Sequence, residues 1–201
     1  MGVFGLVIAG VGGQGTLLAS RLIAQSSIDV GLPVKIGETY GMAQRGGPVM
    51  GHIQIGEGAE SPQIRPGEAD ALIGFEIGEA VRRGVTYLKE GGLALVNTRK
   101  FPPLEVISGM MEYPSEDSLL SLLGEVTSDI VKFDATAIAE EAGDAIATNM
   151  VMLGAIVESR KLPFDEEVVT AALRRSVRAA YLETNLKAFM MGKTAYGDFS
   201  K

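Results

Sequence analysis

Apolar residues in this chain gather into short runs, and glycine-rich or polar turns separate the runs. Short apolar or alternating runs bounded by turn residues have the pattern of strands, and unbroken ones that of strands buried on both faces. They fall at 3–9, 33–37, 49–55, 70–75, 92–97 and 129–133. Between them lie segments whose apolar positions recur three and four residues apart, the spacing of helices that cover a sheet. These are 16–30, 77–89, 116–124, 136–142, 146–160 and 166–190. Alternating strands and helices predict an α/β fold: a three-layer α/β/α Rossmann-like sandwich with a mostly parallel sheet. From 48 to 75 two strands follow one another with no helix between them, only the turn signals Ser61-Pro62 and Arg65-Pro66-Gly67. That stretch predicts an antiparallel, mixed portion of the sheet.

The last third is helical. Residues 149–157 are apolar nearly all round, which predicts a buried helix. Asp165 suits an N-cap, with Glu166 and Glu167 favourable in the turn that follows. The final long helix presents Leu173, Val177, Ala180, Tyr181 and Leu186 as a core face, and Arg174, Arg175 and Arg178 as a solvated basic face. With 201 residues and 46% apolar content, residues 1–201 are expected to form a single domain with a large core.

Charge narrows the range of partners. A net charge of −7 argues against nucleic acid and against anionic membrane surfaces. No apolar run reaches the roughly 18 residues of a membrane span, and no basic leader precedes the first run. A cytoplasmic protein is expected. There is no cysteine, so this chain holds no disulfide, no thiol nucleophile and no thiolate-ligated zinc or iron–sulfur cluster. The one histidine, His52, shares a strand face with Gln54 and is expected to be packed or solvent-facing. One imidazole cannot build a histidine metal cluster, and no triad is visible.

The candidate chemistry lies at the first turn. Gly10-Val11-Gly12-Gly13-Gln14-Gly15-Thr16 stands between the first strand-like run and the first helix-like one. Glycines there let the backbone turn sharply and approach a phosphate, while the helix N-terminus offers free N–H groups. The Gly10, Gly12, Gly15 spacing matches a dinucleotide fingerprint, which also asks for an acid about 20 residues further on. Glu38, after 33–37, is the candidate. A second polar, glycine-rich loop at 38–48 carries Gln44, Arg45, Gly46 and Gly47. If the first two strands are neighbours, this loop faces the first one, and Arg45 suits phosphate or carboxylate. Glu76 and Asn97 follow later strands and point toward the same rim.

These stretches resemble the γ-type domain of 2-oxoacid:ferredoxin oxidoreductases. The likeness rests on Gly10-Val11-Gly12-Gly13-Gln14-Gly15-Thr16 and on Gln44-Arg45-Gly46-Gly47 ahead of the strand at 49–55. It continues through Glu68-Ala69-Asp70, Tyr87-Leu88-Lys89-Glu90-Gly91-Gly92, Asn149-Met150-Val151-Met152-Leu153-Gly154, Leu162-Pro163-Phe164 and Asn185-Leu186-Lys187-Ala188-Phe189. Within that family, Gly41-Met42-Ala43-Gln44-Arg45-Gly46-Gly47 looks most like the smaller subunit of indolepyruvate:ferredoxin oxidoreductase.

The resemblance implies a multi-subunit enzyme. It decarboxylates a 2-oxoacid on thiamine diphosphate, passes electrons through iron–sulfur clusters to ferredoxin, and transfers the acyl group to coenzyme A. This chain has neither cysteines nor a visible thiamine diphosphate motif, so those groups belong to a larger partner subunit. Alone it would be inactive and would hold no cofactor. Coenzyme A is the possible ligand of Gly10, Gly12, Gly13, Gln14, Gly15, Thr16, Gln44, Arg45, Gly46 and Gly47. Two other readings compete: a stand-alone NAD(P)-dependent dehydrogenase or reductase, and a non-catalytic nucleotide-binding protein. Against the dehydrogenase stands the shortage of acid–base groups, since Tyr181 is followed at helical spacing by Asn185 rather than lysine.

Overall fold

A computed structural model describes residues 2–40, 46–102 and 104–200. One six-stranded sheet organises them, in the order β2-β3-β1-β4-β5-β6. The strands are β1 (Phe4–Val11), β2 (Val34–Tyr40), β3 (Pro48–Ile55), β4 (Ala69–Gly74), β5 (Leu88–Asn97) and β6 (Ile130–Phe133). β1, β4, β5 and β6 run parallel, whereas β3 is antiparallel to both β1 and β2. The mixed portion expected around 48–75 is therefore β3, joined to β4 by a loop without a helix.

The helices are α1 (Thr16–Asp29), α2 (Ile77–Tyr87), α3 (Leu104–Ile107), α4 (Glu116–Gly124), α5 (Ala135–Ala142), α6 (Thr148–Glu158), α7 (Glu166–Ser176) and α8 (Ala179–Phe199). Strand alternation sends Leu6 and Ile8 to one face, where α1, α5, α6, α7 and α8 pack. Val7 and Ala9 go to the other, under α2 and α4. Among the described residues no helix is long and apolar enough to cross a membrane.

Four local expectations change. β1 runs through Gly10 to Val11, because both residues pair with the start of β3. β2 runs to Tyr40, so Glu38 lies inside a strand rather than beyond one. The helix expected at 77–89 stops at Tyr87, and Leu88 opens β5 opposite Ala69. Most consequentially, the helix expected at 166–190 breaks at Val177 and Arg178, which are extended (ψ 136 and 142). No glycine or proline marks that break. Its cause is tertiary: α7 buries Val169, Ala172 and Leu173 toward α1, while α8 buries Ala188, Phe189, Gly192 and Ala195 toward α6. One straight helix cannot serve both surfaces. The change of phase leaves Ala180 and Tyr181 exposed instead of in the core.

The α6–α8 crossing is closed by two glycines. α6 is buried from Thr148 to Val157. A β-carbon on Gly154 would collide with the Phe189 carbonyl, and one on Gly192 with the Val151 carbonyl. The two backbones touch because neither residue has a side chain. Gly154→Ala should therefore cost about 3 kcal/mol, the upper part of the range for overpacked cores. Urea unfolding would read this as a lower midpoint at an unchanged slope. Gly124→Ala, where a β-carbon meets nothing within 4 Å, should change stability by less than about 0.5 kcal/mol or raise it.

Candidate functional site

The turn after β1 is built from its own side chain and from glycine geometry. Gln14 folds back into the loop: its Oε1 accepts the Val11 N–H at 2.7 Å, and its Nε2 donates to the Phe75 carbonyl at 3.2 Å. Gln14 is thus a brace, with both ends of its amide spent on backbone. Gly10 has no room for more, since a β-carbon there would lie 2.8 Å from Gln14 Oε1 and 2.9 Å from Phe75 Cβ. Gly13 and Gly15 take the left-handed region, at φ 108 and 79. Gly15 is the N-cap of α1 and caps it with no side chain.

The second loop does meet the first, by a route the sequence did not predict. β3, not β2, is the neighbour of β1. Because β3 is antiparallel to both, β1 and β2 point the same way, and the chain returning into β3 crosses the glycine turn. The Gly12 N–H donates to the Gly47 carbonyl at 2.8 Å, and the Gly46 N–H donates to the Gly12 carbonyl at 3.3 Å. Gly46 is left-handed, φ 77, and faces open space. Gln44 and Arg45 lie outside the described residues.

Counting donors locates the open part of the turn. The amides of Val11, Gly12 and Gln14 are taken by Gln14 Oε1, the Gly47 carbonyl and the Val11 carbonyl. Those of Gly13, Gly15, Thr16 and Leu17 find no acceptor among the described residues. They lie at or just before the first turn of α1, whose N-terminus has no side-chain cap and where an anion is favoured. Nothing lies within 4 Å of a β-carbon placed on Gly13, so the turn is open there.

Asn149 enters the sequence reading only within the family-like stretch 149–154, with nothing to tie it to the glycine turn, yet it stands at this site. Its Nδ2 donates to the Gly15 carbonyl at 3.4 Å, and a β-carbon on Gly15 would collide with it. Its buried Oδ1 has no partner among the described residues. A 540 Å³ cavity opens beside this contact, lined by residues that include Leu18, Ile146, Asn149, Arg178, Tyr181 and Asn185.

The other rim residues are structural. Asn97 is fully buried and fully bonded: Nδ2 donates to the Phe75 carbonyl (3.0 Å) and to Thr136 Oγ1 (3.1 Å). Its Oδ1 accepts from the Ala135 N–H (3.0 Å) and the Arg99 N–H (3.2 Å). Glu76 is also buried and caps α2, accepting the Glu79 N–H at 2.8 Å. The Tyr113 hydroxyl donates to Glu76 Oε1. Burial, and after it that hydrogen bond, pushes the Tyr113 hydroxyl above the usual tyrosine range.

His52 is packed. Its Nδ1 accepts the Ile64 N–H at 3.3 Å, and its ring meets Tyr87 edge-on at 4.9 Å. It therefore sits as a neutral ring, away from the glycine turn.

A family model, pyruvate ferredoxin/flavodoxin oxidoreductase, matches residues 5–195. The chain belongs to that family. It is 36% identical over 193 residues to indolepyruvate oxidoreductase subunit IorB of Thermococcus kodakarensis, covering 96% of this chain and 95% of the relative. In structure it resembles the γ subunit of a keto/oxoacid ferredoxin oxidoreductase from Geobacter sulfurreducens, with a TM-score of 0.70 and 26% identity. That alignment covers 97% of this chain and 99% of the other. A 2-oxoglutarate:ferredoxin oxidoreductase chain from Magnetococcus marinus, solved with 2-oxoglutarate, coenzyme A and succinyl-CoA bound, shares the fold at a TM-score of 0.72 and 20% identity. All of this chain aligns there with 32% of the longer one.

Membership of the pyruvate ferredoxin/flavodoxin oxidoreductase family and the strand order both weigh against the dehydrogenase reading. The dinucleotide fingerprint needs its acid at the end of a strand adjacent to β1. Here β3 intervenes, which puts β2 and Glu38 two strand spacings, about 10 Å, from β1.

The packed histidine gives a stability prediction. Burial, and then the nearby Arg83 charge, holds the His52 pKa below its ordinary value. As pH falls through about 6.5 the unfolded chain takes up a proton that the folded chain refuses. Stability is therefore complete above that pH and falls below it, until the folded pKa is reached. Urea midpoints of the wild type should decline between pH 7 and pH 5.5, and His52→Gln should flatten that decline. An equal decline in both would show that His52 does not contribute.

Proposed function

We propose that this chain is the accessory subunit of an indolepyruvate:ferredoxin oxidoreductase, the enzyme that oxidatively decarboxylates a 2-oxoacid to an acyl-CoA. The carrying observation is the pair of interlocked glycine loops, with four amides that have no acceptor among the described residues beside an uncapped helix N-terminus, in a chain that belongs to the pyruvate ferredoxin/flavodoxin oxidoreductase family. On this reading thiamine diphosphate and the iron–sulfur clusters reside in a larger partner subunit, which delivers electrons to ferredoxin. The absence of cysteine from this chain agrees with that division. The protein works in the cytoplasm and is inactive alone.

The residues present fit a phosphate of coenzyme A. Bound coenzyme A supplies the thiol that accepts the acyl group. This chain's part is to hold and orient: the Gly13, Gly15 and Thr16 amides take phosphate oxygens, and Gln44 and Arg45 of the other loop are the side chains proposed to contact them. The backbone provides fixed dipoles, and Arg45 provides the charge. Gln14 and Asn149 set the shape of the turn.

The purified chain should contain no iron and should not reduce a viologen dye with any 2-oxoacid. Addition of the larger subunit should yield dye reduction that depends on both 2-oxoacid and coenzyme A. In the reconstituted enzyme Arg45→Ala should raise the apparent KM for coenzyme A about tenfold, the loss of one charge-assisted hydrogen bond, with less change at saturation. A fall in rate at saturating coenzyme A that excess variant subunit restores would place Arg45 in docking instead. Full activity of the larger subunit by itself would overturn the reading.

A further inference from the structure

Glu76 fastens more than α2. Its Oε1 accepts both the Tyr113 hydroxyl and the Phe101 N–H, the latter at 3.4 Å. The Gly78 N–H in turn donates to the Tyr113 hydroxyl at 3.2 Å. Residues 101 and 113 are thus pinned to one buried carboxylate just beyond β4, and the chain between them, of which 102 and 104–112 are described, is called the strap. The strap shows its apolar side chains to solvent: Phe101 is 49% exposed, Ile107 71%, Met110 80% and Met111 63%. A concentration of large apolar groups of this kind costs solubility unless a partner covers it. Methionines make such a surface adaptable to the partner's contours.

We infer that this strap is the docking element for the larger subunit of the enzyme, a partner whose facing surface is an apolar depression rimmed by lysine or arginine. The inference rests on the multi-subunit reading above. The surround is acidic on balance: 101–125 contains Glu105, Glu112, Glu116, Asp117 and Glu125 and no lysine or arginine, while Lys100 lies over the Tyr113 ring at 5.6 Å and Lys132 pairs with Glu116 at 2.9 Å. An apolar tip in an acidic surround complements a basic rim and repels an acidic protein. The attachment explains why docking belongs here. Phe75, next to Glu76, gives its carbonyl to the Gln14 brace of the glycine turn. A partner seated on the strap therefore lies against the same strand end that shapes the turn, and places its own site beside it.

The experiment measures binding of the larger subunit to this chain, each purified separately, by titration calorimetry. Wild-type affinity should fall as salt is raised. The double variant Met110→Glu/Met111→Glu should bind about thirtyfold more weakly, as expected for the centre of an interface. Circular dichroism and thermal unfolding should show its fold unchanged. Tyr113→Phe, which frees one end of the strap and leaves its tip intact, should weaken binding several-fold. Ile28→Glu, at an exposed apolar residue of α1, should bind like the wild type. Equal affinity of the double variant and the wild type would overturn the strap while leaving the multi-subunit reading in place. Equal loss with Ile28→Glu would overturn it as well, by showing that any added acid acts alike. Failure of the wild-type chain to bind the larger subunit would overturn both.

Discussion

The carbonyl oxygen of Phe75 has two lone pairs, and the molecule uses both. One accepts from Gln14, at the turn after β1, and the other from Asn97, at the end of β5. Parallel strands end in diverging loops, and each ending leaves backbone groups that the ladder no longer satisfies. Here one carbonyl gathers three endings. The Phe75 N–H is itself bonded to the Ala9 carbonyl at 2.8 Å. Asn97 carries the connection on to α5 through Ala135 and Thr136. The rim is then a continuous polar chain from β1 to α5, largely buried, where losing one member strands the others. A loop anchored to such a rim needs no ligand to hold its shape.

Close approach is the second constraint, and glycine meets it where helix N-termini and helix crossings come together. Gly15 lets Asn149 reach the first turn of α1, and the Gly154 and Gly192 pair lets α8 lie directly on α6. These contacts share a purpose. α6 begins at Thr148, next to Asn149, so the seat of α6 on α8 sets the position of Asn149 against the glycine turn. Packing deep in the C-terminal third thereby controls geometry at the N-terminal site, across 134 residues of sequence.

The layers of the fold and the turn after β1 were legible because both follow from local pattern: apolar runs, helical spacing and glycine ahead of a helix. Strand order was not. A run of apolar residues shows that a strand is buried but not beside what, and the insertion of β3 between β1 and β2 depends on pairing register. The break between α7 and α8 escaped for a related reason, since Val177 and Arg178 carry no turn chemistry and yield only to two packing surfaces. At the site, Gln14 had the look of a residue facing a ligand, because a polar side chain in a glycine loop is ambiguous until its partners are seen. Asn149 was invisible at long separation. The interlocking of the two loops was anticipated on an incorrect adjacency and arises through Gly12, Gly46 and Gly47 instead.

A subunit without redox equipment contributes to catalysis by what it holds still. Orientation of a substrate group supplies a large part of an enzyme's rate enhancement, provided the holding element does not itself have to be ordered on binding. The turn here meets that condition: Gln14 braces it from within, Gly46 and Gly47 pair with it from the side, and Asn149 closes on it from α6. Its open amides belong to Gly13, Gly15, Thr16 and Leu17, where a side chain is absent or already placed. Backbone donors arranged this way recognise charge and shape, not the identity of a 2-oxoacid. If the proposed division of labour holds, the choice of substrate falls to the partner's site, and a frame of this kind serves enzymes of different 2-oxoacid preference without altering its rim.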